Sequence, residues 1–315
     1  MKPPGRSILM AALLAGTLFG AITSLKAQAG SGDWTIRKSE KPGKIIFTLI
    51  ISDRHNRFDR EVDQPANDFH GVDLSKTGRQ DVRFTLARDA GKLECEGFLH
   101  DGEGAGVFHF SANANYPPAM RALGFEAIDR EKQLEMAIDD VSLDFAKEMK
   151  AEHLEGLDTD KLIAFRIFGV DRALIEELRS LGLSATDSDK LVAFRIHGVS
   201  PEMVRYLQKA GYKPDEDTLV AMRIHGATPD WMDEMKKAGY EHIAMEELIA
   251  FRIHGVSPEF ISKLHALGYD RPEPEQLIAM RIHGVTPEFI QEMRSHGIQD
   301  LSIDKLVSLR IHGID

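Results

Sequence analysis

Residues 162–313 carry six near-copies of one octapeptide: LIAFRIFG at 162–169, LVAFRIHG at 191–198, LVAMRIHG at 219–226, LIAFRIHG at 248–255, LIAMRIHG at 277–284 and LVSLRIHG at 306–313. Successive copies begin 29, 28, 29, 29 and 29 residues apart. One period suffices for a supersecondary unit but not for an independent core. The units must therefore shelter one another's apolar sides by stacking. Stacked arrays present long recognition surfaces, which turns the functional reading toward binding and away from catalysis.

Each period reads as two short helices. The first opens behind an acidic or hydroxyl cap, as at Asp158/Thr159 and Ser302/Asp304. It runs through L-[IV]-[AS]-[FML]-R-I-H and stops at a glycine: Gly169, Gly198, Gly226, Gly255, Gly284 and Gly313. This helix is apolar nearly all round except for its arginine, which predicts cover on several sides. The second helix opens at Ser200-Pro201, Thr228-Pro229, Ser257-Pro258 and Thr286-Pro287, where a hydroxyl caps and a proline fits the first turn. Phe260, Ile261, Leu264 and Leu267 fall on one face, and a second glycine (Gly211, Gly239, Gly268, Gly297) closes the helix.

Two polar columns run through the repeats. Arg166, Arg195, Arg223, Arg252, Arg281 and Arg310 share one slot, and His197, His225, His254, His283 and His312 another, which Phe168 fills in the first copy. The histidines read as helix-end groups that meet free carbonyls. Equivalent residues of stacked helices stand roughly 8–10 Å apart, too far to share a zinc ion at about 2.0–2.1 Å. The arginines read as structural, each stem packed and each guanidinium on carbonyls or on the acidic residue after the proline. The alternative is a row of exposed cations for an acidic partner. At the end of the sequence Leu306, Leu309 and Ile311 keep the interior apolar pattern in a half unit. An uncovered side there would serve docking or self-association; otherwise the half unit is itself the cap.

Before the repeats, alternation of period two dominates. Lys44–Ser52, Val82–Arg88, Lys92–Leu99 and Val107–Ser111 read as strands, with a tight connection at Asp89-Ala90-Gly91 and a longer one over Asp101-Gly102-Glu103-Gly104. Short loops between them predict an antiparallel meander. Residues 53–81, polar and irregular, read as a long loop or edge. Alternating glycines at 102, 104 and 106 suggest close backbone approach or bends in a curled sheet. Residues 1–29, with Lys2 and Arg6 ahead of an apolar run and Ala27-Gln28-Ala29 at its end, read as a secretory signal peptide. The expected organisation is thus 1–29 signal peptide, 30–115 β-rich domain, 116–157 degenerate helical repeat and junction, and 158–315 repeat array. The fold class is α+β, an antiparallel β domain followed by an α-solenoid of short helix pairs.

Removal of Lys2, Arg6 and Lys26 leaves 36 of 39 basic residues against 50 acidic ones, a balance of −14. That charge argues against nucleic acid and anionic lipid as partners. A lone cysteine, Cys95, forms no internal disulfide and reads as a small core hydrophobe. No HExxH, GxSxG or metal-spaced cysteine pair is present, so no catalytic, cofactor or metal residue is assigned.

The unit LIAFRIHGVSPEFISKLHALGY at 248–269 resembles a repeat of bacterial exported and membrane proteins, among them the extracytoplasmic tails of antibiotic-sensor-type membrane metallopeptidases. The likeness covers about 116–315, and the peptidase part has no counterpart here. It implies a periplasmic or secreted repeat module. The expectation is a non-enzymatic envelope protein that binds a protein partner, in sensing or regulation. The alternative is a periplasmic protein that captures metal or a small ligand through the repeat histidines or the β domain.

Overall fold

The computed structural model describes residues 30–52 and 57–314. The signal-peptide segment lies outside the described residues. Two compact units are present, one formed by the β region with residues 128–138, the other by residues 115–127 and 139–315.

In the first unit, six strands form one antiparallel sheet: β1 (Ser31–Lys38), β2 (Lys44–Ser52), β3 (Arg57–Pro65), β4 (Arg79–Arg88), β5 (Gly91–His100) and β6 (Glu103–Ala112). Their order is β3-β2-β1-β6-β5-β4, two three-stranded meanders joined through β1 and β6. β3 occupies part of the stretch read as loop. Its sequence, RFDREVDQP, is too polar to signal a strand, and an edge position accepts it because it pairs only with β2. The β5–β6 connection is also tighter than expected. Asp101 and Gly102 both take positive φ (50° and 90°), which suits a two-residue hairpin turn.

One face of the sheet is buried. Trp34, Phe47, Phe84 and Phe69 form an aromatic cluster of edge-to-face and tilted pairs, with ring centroids 5.1–6.3 Å apart. Cys95 lies in the same core, and burial pushes its thiol up to about 12. The Trp34 indole N–H donates to the Glu96 and Val107 carbonyls (3.2 and 3.0 Å), across the paired glycines Gly97 and Gly106. A Cβ on Gly97 would stand 2.8 Å from the indole and 2.6 Å from the Gly106 Cα. The close approach expected of the glycine-rich strand is therefore between backbones beneath a tryptophan.

The helices are α1 (Tyr116–Ala122), α2 (Arg130–Ile138), α3 (Leu143–Ala151), then pairs α4/α5 (Thr159–Phe168, Arg172–Ser180), α6/α7 (Ser188–His197, Pro201–Lys209), α8/α9 (Glu216–His225, Pro229–Lys237), α10/α11 (Met245–His254, Pro258–Ala266), α12/α13 (Pro274–Ile282, Pro287–Ser295), and α14 (Ile303–Ile311). α2 departs from the sequence reading. Leu134–Leu157 reads as a degenerate repeat unit, yet α2 packs on β5 and β6. The Gln133 amide donates to the Ala90 and Asn113 carbonyls (2.6 and 2.7 Å), and Arg130 to the Phe110 carbonyl (3.1 Å).

From α4 onward the expected order holds. First helices stack on first helices in one layer, and second helices follow in the other. Side-chain caps form at Asp158, Asp187, Asp215 and Ser302 for first helices and at Ser200, Thr228, Ser257 and Thr286 for second ones, whereas α10 and α12 open at Ala244 and Glu273 without one. The leucine that opens each octapeptide is at most 2% exposed. Among the described residues no helix is long and apolar enough to cross a membrane.

Candidate protein-docking face of the first-helix layer

Each repeat arginine reaches back into the preceding unit. Nε of Arg195, Arg223, Arg252 and Arg281 donates to the carbonyls of Phe168, His197, His225 and His254, at 2.8–3.1 Å. Each acceptor is the last helical residue before the glycine, at the negative end of its helix. Arg166 does the same to Asp139 (3.1 Å). The guanidinium also lies over an aromatic ring of the preceding second helix: Arg166 on Phe145, Arg252 on Trp231, Arg281 on Phe260 and Arg310 on Phe289, at 4.9–5.2 Å. Of the two groups offered as arginine partners, the carbonyls are the ones met.

That joint gives the glycine a second duty. Gly198 takes φ +73°, and a Cβ there would stand 2.7 Å from Nη2 of Arg223. Asp140 fills the slot one period before Gly169, keeps a positive φ (54°), and turns its carboxylate onto Arg166 at 2.9 Å.

The histidines contribute mainly backbone. The arginine of the next repeat satisfies the carbonyls that their rings were expected to meet. Among the described residues His312 is the repeat histidine that follows the expectation, with Nδ1 2.7 Å from the Ser308 carbonyl. The rings of His225, His283 and His312 are exposed, and those of His197 and His254 half-buried. Among the described residues no group of three or more histidines, cysteines or carboxylates is placed to hold a metal ion. In the sheet, His109 pairs with Glu94 and His100 with Glu103, so six residues, about 20 Å of strand, separate them.

Sequence reasoning singled out Ile311 alone among the isoleucines that follow the repeat arginines and missed the row they form. Ile167, Ile196, Ile224, Ile253, Ile282 and Ile311 are 43–56% exposed, a row of apolar side chains along the layer. The apolar first helix is covered on fewer sides than predicted. Seven residues before each isoleucine stands an exposed acid: Asp160, Asp189, Asp217, Glu246, Glu275 and Asp304. Between them lies a small residue: Ala164, Ala193, Ala221, Ala250, Ala279 or Ser308. Spacings of four and three place all three on one helix face. The layer thus carries an acidic row, a low floor and an isoleucine row about 10 Å from the acids. In the half unit, Leu306 is buried, Leu309 half-buried and Ile311 exposed.

No family model, no curated protein and no solved structure matches this chain. The signal that could have revealed the row is its invariance. The opening leucine is constant because it is buried, and two other inward slots drift among Phe, Met and Leu or between Ile and Val, whereas isoleucine is kept in all six copies at a slot that burial does not fix.

Proposed function

We propose that this is a non-enzymatic, exported binding protein that engages a protein partner at the cell envelope through the first-helix layer of its array. One observation carries the reading. Six isoleucines stand half in solvent at the same place in successive repeats. A buried Ile side chain is stabilised by about 1.5–3 kcal/mol, so each leaves roughly half of that for a partner to recover. Scattered exposed apolar residues need no explanation; a contiguous ordered row does. Export is supported by the charged start, apolar run and small-residue end of residues 1–29 and by the resemblance to extracytoplasmic repeats.

The test is capture from native envelope extract, with the intact chain and an Ile196→Ser/Ile224→Ser/Ile253→Ser/Ile282→Ser variant as parallel baits. At least one protein should be retained by the first and lost by the second while thermal unfolding of the two baits stays close. Identical capture profiles would remove the row from the function.

A further inference from the structure

Resting on that reading, we infer that the partner segment is a basic amphipathic helix lying along the trough over the α8, α10 and α12 repeats. The charge of the acidic row is not uniform. Near its start the acids are neutralised by the preceding repeat: Lys161 pairs with Asp189, and Lys190 with Asp217 at 3.0 Å. The lysine slot then changes to Thr218, Glu247 and Gln276. Among the described residues, no lysine or arginine pairs with Glu246 or Glu275, both exposed. The uncompensated Glu246 and Glu275 share their helix faces with Ile253 and Ile282, and Ile224 extends the apolar row by one repeat, so this stretch asks for an apolar stripe with cations along one flank only.

Geometry favours a helix over an extended chain. Successive isoleucines lie one interhelical step apart, roughly 8–10 Å. A helical stripe returns every seven residues, about 10.5 Å. A strand repeats its face every 6.6–6.8 Å and falls out of phase. The trough between the isoleucine and acidic rows, about 10 Å, accepts one helix diameter.

A second copy of the chain fits poorly. A two-fold axis parallel to the helices lays isoleucine on isoleucine but also Glu246 and Glu275 on their own images. An axis parallel to the row lays isoleucine on acid. The chain's net charge of −11 adds repulsion in both cases.

The probe is a fluorescein-labelled synthetic helix of three heptads, with leucine at a and d and lysine at b and e, titrated with the full chain by anisotropy. Its counterpart carries glutamate at b and e. The lysine helix should bind, with affinity lost about tenfold or more on Ile224→Ser/Ile253→Ser/Ile282→Ser and about fivefold on Glu246→Gln/Glu275→Gln. Ile167→Ser/Ile196→Ser, in the repeats ahead of the uncompensated acids, should change it less than about twofold. Equal or tighter binding of the glutamate helix, still lost in the triple isoleucine variant, overturns the basic partner and leaves the docking face standing. Indifference to every isoleucine change overturns both. Concentration-dependent dimerisation abolished by the triple variant would assign the trough to a second copy and overturn the inference.

Discussion

At the scale of the residue, the array is held by long side chains that end on main-chain carbonyls. Arg223 and Gly198 form the sharpest instance, because the guanidinium occupies the space a Cβ would claim. Gly211 also has positive φ (+91°), but nothing lies within 4 Å of its missing Cβ. Gly211→Ala should therefore cost only the left-handed backbone penalty, about 1–2 kcal/mol. Gly198→Ala should cost about 1 kcal/mol more, a charged hydrogen bond discounted for its partial exposure. Urea titration of the single and double variants checks this. In an Arg223→Ala background the cost of Gly198→Ala should drop to that of Gly211→Ala. Additivity would show that the close approach is incidental.

At the scale of the element, two more sets of contacts repeat the arginine pattern. Tyr212, Tyr240 and Tyr269 donate to the carbonyls of Ile243, Pro272 and Leu301 at 2.7–2.8 Å. Arg179, Gln208 and Arg294 donate to those of Glu152, Leu181 and Leu267 at 2.6–2.9 Å. The tyrosines reach forward to the next unit and the other donors back to the one before, always a neighbour, so stability should be a sum of units and nearest-neighbour joints. Excising Ala227–Gly255, one period, brings Arg281 onto the His225 carbonyl. The shortened chain should unfold in urea with a lower m-value, in proportion to the surface removed, and keep the cooperativity of the parent array. Collapse of the array into an unfolded chain would show contacts beyond neighbours. Most of this level was legible. Gly198, Ser200-Pro201 and Asp215 announce stop, start and start again through local backbone chemistry, which sequence encodes directly. Exposure of Ile224 was not legible, because a helix apolar all round does not say which side its neighbour leaves bare. β3 was hidden because an edge strand needs no apolar face of its own.

At the scale of the whole molecule, chain order and compact units do not coincide. α2 lies after the first repeat-like helix in sequence, yet it belongs with the sheet. Leu134, Met136 and Ile138 are buried, and Gln133 closes two carbonyls at the ends of strands. Burial of three such side chains is worth roughly 5 kcal/mol or more, comparable with the total stability of a small domain. A fragment of residues 30–138 should thus unfold cooperatively, whereas 30–114, cut where the sequence pattern changes, should bind a hydrophobic dye and lack a sharp transition. Circular dichroism melts of the two fragments decide it; equal cooperativity would mean that α2 is dispensable. Sequence could not place this boundary, because period 3.6 identifies a helix but not the surface against which it rests.

The acceptor at every one of these joints is a peptide oxygen, a group all amino acids possess. Phe168, His197 and Asp139 present it equally well to the arginine that follows. A copy inserted, lost or moved by recombination would meet a fitting neighbour on either side without any compensating change. Array length is therefore free to drift across generations, while the half-exposed column, which supplies none of these hydrogen bonds, can be kept or rewritten independently.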